Sequence, residues 1–187
     1  MHPLADRRVL VTGGHKRLGR AVARHLAGLG ARVAIHYRHD AKLAEDLARD
    51  LGGLAIGAEL TDPAEVSRMV AEVERHLGGL DLLVGSAASW QATDLATATA
   101  EDVDAALHAN ARAPVDLVLR CRPHLEASPD GRVVVFGDLA GVTPFRGHLA
   151  HSMAKSALHA AVREWFDACD VIVSPKAWVD ALLIANG

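Results

Sequence analysis

The sequence predicts a doubly wound α/β fold, in which helices cover both faces of a parallel sheet in three α/β/α layers. Apolar runs of strand length alternate with amphipathic helical patterns along the 187 residues, which is typical of this class. The length is ordinary for one domain with a single core. No repeat, low-complexity segment or linker divides the sequence, so we expect residues 1–187 to form one domain.

The strands are placed by their apolar runs, of which Val9-Leu10-Val11 is the first. We expect strands at residues 8–12, 31–37, 54–60, 80–86, 132–137 and 170–174. The end of the chain, residues 181–187, fits either a seventh strand or a short helix.

The helices fill the intervals and are placed by apolar spacing and caps. The third is marked by Asp62 before Pro63, which already has a helical φ, and by Gly78-Gly79 at its end. We expect helices at residues 17–29, 41–51, 63–77, 100–125 and 152–168. Pro114 is expected to kink the fourth.

A glycine-containing turn joins the first strand to the first helix. Its sequence is Thr12-Gly13-Gly14-His15-Lys16-Arg17-Leu18-Gly19. Glycines let a backbone approach a phosphate closely, and the first N–H groups and dipole of a helix add positive potential there. The turn therefore fits the pyrophosphate of a dinucleotide, or it serves only the close packing common to such turns.

The end of the second strand reads Ile35-His36-Tyr37-Arg38-His39, where an NAD site normally carries an acidic side chain. Arg38, together with His36, can instead face a 2′-phosphate through charge-assisted hydrogen bonds. This favours NADP(H) over NAD(H). The alternative is that Arg38 is a solvated charge at the end of a strand.

The glycine turn resembles that of the short-chain dehydrogenases/reductases, and Lys16-Arg17-Leu18-Gly19 resembles the variant turn of the pteridine reductase branch. The resemblance covers residues 7–162, whereas residues 163–187 are divergent and shortened. It implies a Rossmann fold and NADPH-dependent reduction of a carbonyl or pterin-like substrate. The implied cofactor contacts are Thr12, Gly13, His15, Lys16, Arg17, Leu18, Gly19, His36, Tyr37, Arg38, Glu59, Leu60, Ser86, Ala87 and Lys155.

The same resemblance implies the residues that handle protons. Asp138, after the fifth strand, matches the aspartate of the pteridine reductases, and Lys155 matches the lysine that contacts the nicotinamide ribose. His151 stands one helical turn before Lys155, where the family has its proton-donating tyrosine. Beside the Lys155 ammonium, this histidine is expected to be neutral. Either His151 donates the proton, or Asp138 supplies it, or the chain no longer turns over.

Two further positions follow from the resemblance. Trp90 matches an aromatic residue that stacks on a pterin ring, whereas a lone tryptophan would more often be packing. Asn110 matches an asparagine of the proton relay, although it could also face solvent or bond locally. His151, Gly85-Ser86 and the short C-terminus motivate the alternative of a catalytically impaired homologue that binds nucleotide or acts as an interaction protein.

The composition bounds the partners. A net charge of −3 without a basic excess argues against nucleic acid, and no apolar run reaches membrane-spanning length. No signal peptide is recognised, so a cytoplasmic protein is expected. Cys121 and Cys169 are expected to be reduced core thiols. His148 and His151 share a segment, but a third metal ligand is missing there, so no metal is expected. A small-molecule substrate and homo-oligomers through the fourth and fifth helices complete the expectations.

Overall fold

The computed structural model describes residues 4–165, 169–172 and 182–185. The chain forms two compact units, one of residues 1–87 and 117–133 and the other of residues 88–116 and 134–186. Among the described residues, no helix is both long enough and apolar enough to cross a bilayer.

The first unit is built on parallel strands in the order β3-β2-β1-β4. These are β1 Arg8–Thr12, β2 Arg32–Tyr37, β3 Leu54–Gly57 and β4 Leu82–Gly85. In the register, Val9 pairs with Val33 on one side and with Leu82 on the other. The apolar residues of β1 are fully buried, because strands covered on both faces read as continuous apolar runs.

Three helices connect these strands: α1 Arg17–Gly28, α2 Ala41–Leu51 and α3 Pro63–Leu77. The predicted cap of α3 is confirmed, since the Asp62 carboxylate accepts the N–H groups of Ala64 and Glu65. Gly78 ends the same helix in the left-handed conformation, with φ 78°. The third and fourth strands are shorter than predicted, since β3 ends at Gly57 and β4 begins only at Leu82.

The predicted fourth helix is divided in the structure. It consists of α4 Ala100–Leu107, a π-helical turn His108–Arg112 and α5 Ala113–Glu126, which passes into the first unit at residue 117. The Ala113 N–H donates to the carbonyl of His108, five residues earlier. Pro114 has no N–H for an α-helical bond, so the wider turn occurs where a proline would otherwise interrupt the ladder.

The remaining elements are β5 Arg132–Phe136, a 3-10 turn Leu139–Gly141, α6 Leu149–Trp165, β6 Cys169–Ile172 and β7 Leu182–Ala185. The first residues of β5 belong to the first unit, where the Arg132 N–H donates to the carbonyl of Asp81, just before β4. In the second unit, β7 runs antiparallel to both β5 and β6. The predicted doubly wound α/β class is confirmed, and of the two alternatives for residues 181–187 the strand is correct.

Two predictions fall partly outside the described residues. The predicted sixth strand begins at Cys169 in the structure, and its last residues, 173–174, are not described, nor are residues 166–168 of the predicted last helix. Cys121 on α5 is a buried free thiol, as predicted, and burial raises its pKa to about 12. The side chain of Cys169 lies outside the described part of the chain.

Candidate functional site

The turn after β1 has the shape of a phosphate cradle. Gly13 has φ 62°, and a Cβ on it would lie 3.1 Å from the Cα of Ala87. A Cβ on Gly19 would overlap the carbonyl of Gly13, so only glycine lets α1 pack this closely on the turn. Ala87 and Ser86 are held beside the turn, because the Thr12 hydroxyl accepts both of their N–H groups at 3.1 and 3.0 Å.

The N-terminus of α1 is left open. Lys16, its N-cap residue, makes no side-chain capping bond, and the first turn contains no acidic residue. The first N–H groups of a helix are unpaired without such caps and attract anions. Arg17 takes a left-handed φ of 49°, a conformation that costs a non-glycine residue about 1–2 kcal/mol.

His36 supports the turn from behind. Its Nδ1 accepts the Gly13 N–H at 3.1 Å, and its Nε2 lies 3.0 Å from the carbonyl of Ala58, so the ring proton belongs on Nε2. Burial lowers the pKa of His36 to about 4, which keeps the ring neutral. The prediction that His36 faces a 2′-phosphate is therefore wrong, because its ring is buried, uncharged and committed to the backbone on both sides.

Two of the cations predicted to contact the cofactor, Arg38 and Lys16, each have a carboxylate partner. Arg38 Nη1 lies 3.6 Å from Glu59 Oε2, and Lys16 Nζ lies 3.3 Å from Asp40 Oδ2. All four side chains are more than one-third exposed, so these pairs are weak and open to competition by a phosphate. Leu18, two residues after Lys16, and Leu60, directly after Glu59, are both half-buried. The Tyr37 ring lies against Gly57.

His15 is buried inside the turn, and neither of its ring nitrogens has a hydrogen-bond partner among the described residues. Burial and the charge of Lys16 lower its pKa, so the ring is neutral. Buried polar atoms normally have partners, and a bound polar ligand can supply one here. The open helix terminus, the exposed cations and this unpartnered ring fit the anionic groups of a dinucleotide.

A second cluster lies wholly in the second unit and centres on Asp138 and His151. His151 Nε2 is 3.1 Å from Asp138 Oδ2, and His151 Nδ1 is 3.3 Å from the carbonyl of Ser89. Both neighbours are acceptors, and a neutral imidazole can donate only once. The two ring nitrogens of His151 therefore each face an acceptor, one the Asp138 carboxylate and the other the Ser89 carbonyl.

Asp138 is held at each of its polar groups. Its Oδ1 accepts the Ala140 N–H at 2.8 Å, which starts the 3-10 turn. Burial on its own would raise the pKa of Asp138, but the hydrogen bonds from His151 and Ala140 and the charges of His151 and Lys155 lower it below its ordinary value. Asp138 is thus an anion whose side chain is 17% exposed, against 3% for His151.

Asn110 lies in the π-helical turn and is fully buried. Its Oδ1 accepts the Ser89 N–H at 2.7 Å, and its Nδ2 donates to the Ser89 carbonyl at 3.0 Å. That carbonyl also faces His151 Nδ1, so Asn110 acts on His151 through Ser89. The alternative in which Asn110 faces solvent is wrong.

Lys155 and His159 extend the cluster along α6. Lys155 is buried, and its Nζ donates to the carbonyl of Phe136 at 3.0 Å. His159 accepts the Asp138 N–H on Nε2 at 3.3 Å. Sequence reasoning missed His159 and the Ser89 carbonyl; the signal for His159 was its spacing of four residues from Lys155 and eight from His151.

Trp90 covers His151. Its ring centroid lies 4.4 Å from those of both His151 and His148, and the side chain is 55% exposed. His148 Nδ1 is buried without a partner among the described residues. Within the same residues, no group of three or more His, Cys, Asp or Glu side chains is placed to hold a metal ion.

A cavity of about 710 Å³ lies in the second unit but not at this cluster. Its walls include Leu95, Leu107, Phe145, Leu149 and Met153, and they contain none of Asp138, His151, Lys155 or Trp90. Three of the wall residues, Leu95, Phe145 and Met153, are exposed large apolar side chains.

Comparison with known proteins identifies the family. Residues 14–168 match the family model described as enoyl-(acyl carrier protein) reductase. Hydroxynaphthalene reductase arp2 of Aspergillus fumigatus is 31% identical over 166 residues, which are 86% of this chain and 60% of that protein. Versicolorin reductase 1 of Aspergillus parasiticus is 28% identical over 168 residues, 87% of this chain and 63% of that protein. The chain thus spans less than two thirds of the length of these curated relatives.

The solved structures agree. A short-chain dehydrogenase from Burkholderia cenocepacia in complex with NADP is 34% identical, with a TM-score of 0.81 over 87% of this chain and 68% of that one. A dehydrogenase/reductase from Sinorhizobium meliloti is 32% identical, with a TM-score of 0.78 over 84% of this chain and 64% of that one. The chain belongs to the short-chain dehydrogenase/reductase family.

Proposed function

We propose that this chain is an NADPH-dependent reductase that acts on a carbonyl or pterin-like ring substrate. The observation that carries the proposal is the contact between His151 Nε2 and Asp138 Oδ2, which lie 3.1 Å apart just after β5 and can hold a proton between them. NADPH, when bound, supplies the hydride that adds to the substrate carbon. A reduction of this kind also needs an acid for the oxygen or nitrogen that gains negative charge.

The proton shared by His151 and Asp138 meets that need. The substrate atom that gains negative charge takes this proton, His151 becomes neutral, and water restores the proton afterwards. Asp138 is the more exposed of the two side chains, so its Oδ2 is the atom by which the pair meets a substrate. Trp90, exposed beside the pair, offers a flat ring on which a planar substrate can stack.

The cofactor preference rests on the first unit. The turn at residues 12–19 would hold the pyrophosphate, and Lys16 and Arg38 the 2′-phosphate. The exposed Arg38 at the end of β2, where an NAD site would have an acid, supports NADPH over NADH. The Burkholderia relative, whose structure contains NADP, is consistent with this preference.

The substrate class follows from two sources. The relatives named for hydroxynaphthalene and versicolorin support a fused-ring carbonyl compound. The Lys16-Arg17 turn, Asp138 and Trp90 resemble the pteridine reductase branch and support a dihydropterin. Both are flat bicyclic or larger ring systems, which suits stacking on Trp90.

A second candidate function is a nucleotide-binding homologue without turnover. It is favoured by the contacts of His151, which replaces the family tyrosine and already uses both ring nitrogens on Asp138 and Ser89. Such a chain would bind NADPH through the first unit and act through protein partners.

One set of assays separates the two candidates. We expect calorimetry on the full chain to show tighter binding of NADPH than of NADH, and Arg38→Ala to weaken NADPH binding about ten-fold or more, the value of one charge-assisted hydrogen bond. Arg24→Ala, an exposed paired arginine on α1, is the matched control. NADPH oxidation is then followed with a bicyclic aromatic ketone and with a dihydropterin.

Reduction of either compound supports the reductase, and Asp138→Asn and His151→Gln should each lower kcat by about 10²-fold or more. His25→Gln, an exposed histidine on α1, should leave kcat unchanged. NADPH binding without reduction of either compound supports the second candidate.

The chain is also proposed to form homo-oligomers through α4, α5 and α6. The exposed apolar side chains Leu95, Phe145 and Met153 around the cavity support this, because unpaired apolar patches mark contact surfaces. Light scattering after size exclusion should show a dimer or larger species that Met153→Lys converts to monomer. A monomeric wild-type chain would contradict the proposal.

A further inference from the structure

The face of α6 that meets the end of β5 carries three polar side chains at four-residue spacing, namely His151, Lys155 and His159. All three are buried, with 2, 4 and 6% exposure. The adjacent row of the helix, Ala150, Ala154, Leu158 and Val162, is an ordinary buried apolar row. Burying three titratable side chains on one helix is costly unless each has a partner.

Each of the three holds a different atom near the end of β5. Lys155 donates to the carbonyl of Phe136, His151 pairs with the carboxylate of Asp138, and His159 accepts the backbone N–H of Asp138. The proposed proton transfer uses His151 of this row together with Asp138, and it leaves His159 without a role. His159 is nevertheless the only described acceptor of the Asp138 N–H.

We propose that His159 is a positioning residue, which holds the main chain of Asp138 so that its carboxylate faces His151. The inference rests on the proposed function, because the acid held in this way is the Asp138–His151 pair. His159 touches neither a substrate nor a cofactor, and it acts only through Asp138.

The surroundings of His159 fit this role. Nε2 can accept only if the ring proton is on Nδ1 and the ring is neutral. Burial, followed by the charges of Lys155 and Arg163, lowers the pKa of His159 and keeps it neutral, although Asp138 acts in the opposite direction. Gly141 provides the space, since a Cβ there would lie 2.9 Å from both Cε1 and Nδ1 of the ring.

Asp138 depends on this bond because its other polar groups are already used. Its Oδ1 accepts from Ala140, Oδ2 from His151, and its carbonyl from the Gly141 N–H at 3.0 Å. Without His159, the Asp138 N–H would lose its described partner, and the residue could rotate toward a new one. Small misplacements of a reacting group lower rates by up to about 10²-fold.

The first test is spectroscopic and does not need turnover. In the full chain with ¹⁵N-labelled histidine and backbone, we expect a bare Nε2 on His159 near neutral pH and a coupling across the hydrogen bond from the Asp138 N–H. A protonated Nε2, or an Asp138 amide unchanged by His159→Leu, would overturn the proposal whether or not the chain reduces any substrate.

The second test uses paired variants. His159→Leu should lower kcat about ten- to hundred-fold while the KM for substrate and the Kd for NADPH stay within two-fold. His159→Gln, whose Oε1 can accept the same N–H, should recover most of the rate. If Gln is as slow as Leu although its spectrum retains the Asp138 hydrogen bond, positioning by His159 is contradicted. If the wild-type chain reduces no substrate but shows the coupling, the proposed reductase function is wrong, whereas the hydrogen bond from the Asp138 N–H to His159 is confirmed.

Discussion

The buried His36 makes a quantitative prediction about acid stability. Its pKa is about 4 in the folded chain, against an ordinary 6.5. Above pH 6.5, His36 is neutral in both states and adds no pH dependence. Between pH 6.5 and about 4, the unfolded chain binds a proton that the folded chain does not, so the free energy of unfolding falls as the pH falls. Each pKa unit is worth about 1.4 kcal/mol, so the loss from this one group is about 3 kcal/mol.

The assay is urea unfolding of the full chain at several pH values from 7.5 to 4.5, followed by circular dichroism. His36→Gln is the control, because a glutamine can accept the Gly13 N–H and donate to the Ala58 carbonyl without titrating. His15 and His159, whose pKa values are also lowered, titrate in both proteins and cancel in the difference. The wild type should lose about 2.5 kcal/mol more than the variant over this range, because pH 4.5 is still above the folded pKa.

Parallel pH dependence of the two proteins would contradict this prediction. It would mean that the His36 ring is not held neutral between the glycine turn and β3, and that it is free to face a phosphate after all.

Three further predictions concern the cofactor turn and the acid cluster. Asp40→Asn removes the carboxylate beside Lys16, so the affinity for NADPH, measured by calorimetry, should rise about two- to five-fold, which is the worth of an exposed ion pair. A fall in affinity would contradict the assignment of Lys16 to a cofactor phosphate. Arg17→Gly relieves a positive φ and should raise the free energy of unfolding by about 1 kcal/mol, while it weakens NADPH binding. An unchanged free energy of unfolding would show that the turn is unstrained. Asn110→Leu removes a partner from both the Ser89 N–H and the Ser89 carbonyl, so the free energy of unfolding in urea should fall by about 2–4 kcal/mol. A fall of less than about 1 kcal/mol would contradict the two-bond contact between Asn110 and Ser89.

The parallel part of the fold could be predicted because its strands are buried on both faces. The run Val9-Leu10-Val11 has no polar interruption, and the cap at Asp62 and Pro63 is a local signal that needs no tertiary contact. The division of the fourth helix was only partly predictable. Pro114 indicated a kink, but a kink and a π-helical turn give the same sequence signal.

The contacts within the site that the sequence did not reveal have a common cause. The role of a polar side chain depends on partners that are distant in sequence. His36 bonds to Ala58, 22 residues away, and Asn110 bonds to Ser89, 21 residues away. Neither contact has a local pattern, so the sequence indicated only that polar residues stood there. The acceptors around His151 had no local signal for the same reason, since the Ser89 carbonyl that faces its Nδ1 belongs to another segment.

This chain is proposed to perform reduction, with its proton drawn from Asp138 and His151. The most direct measurement is transfer of deuterium from NADPH deuterated at the transferable position of C4 to a bicyclic aromatic ketone, with the alcohol product analysed by mass spectrometry. We expect one deuterium per alcohol formed by the wild-type chain and a rate about 10²-fold lower for Asp138→Asn. Labelled alcohol no more abundant than in the enzyme-free control, from a chain that binds NADPH, would contradict it.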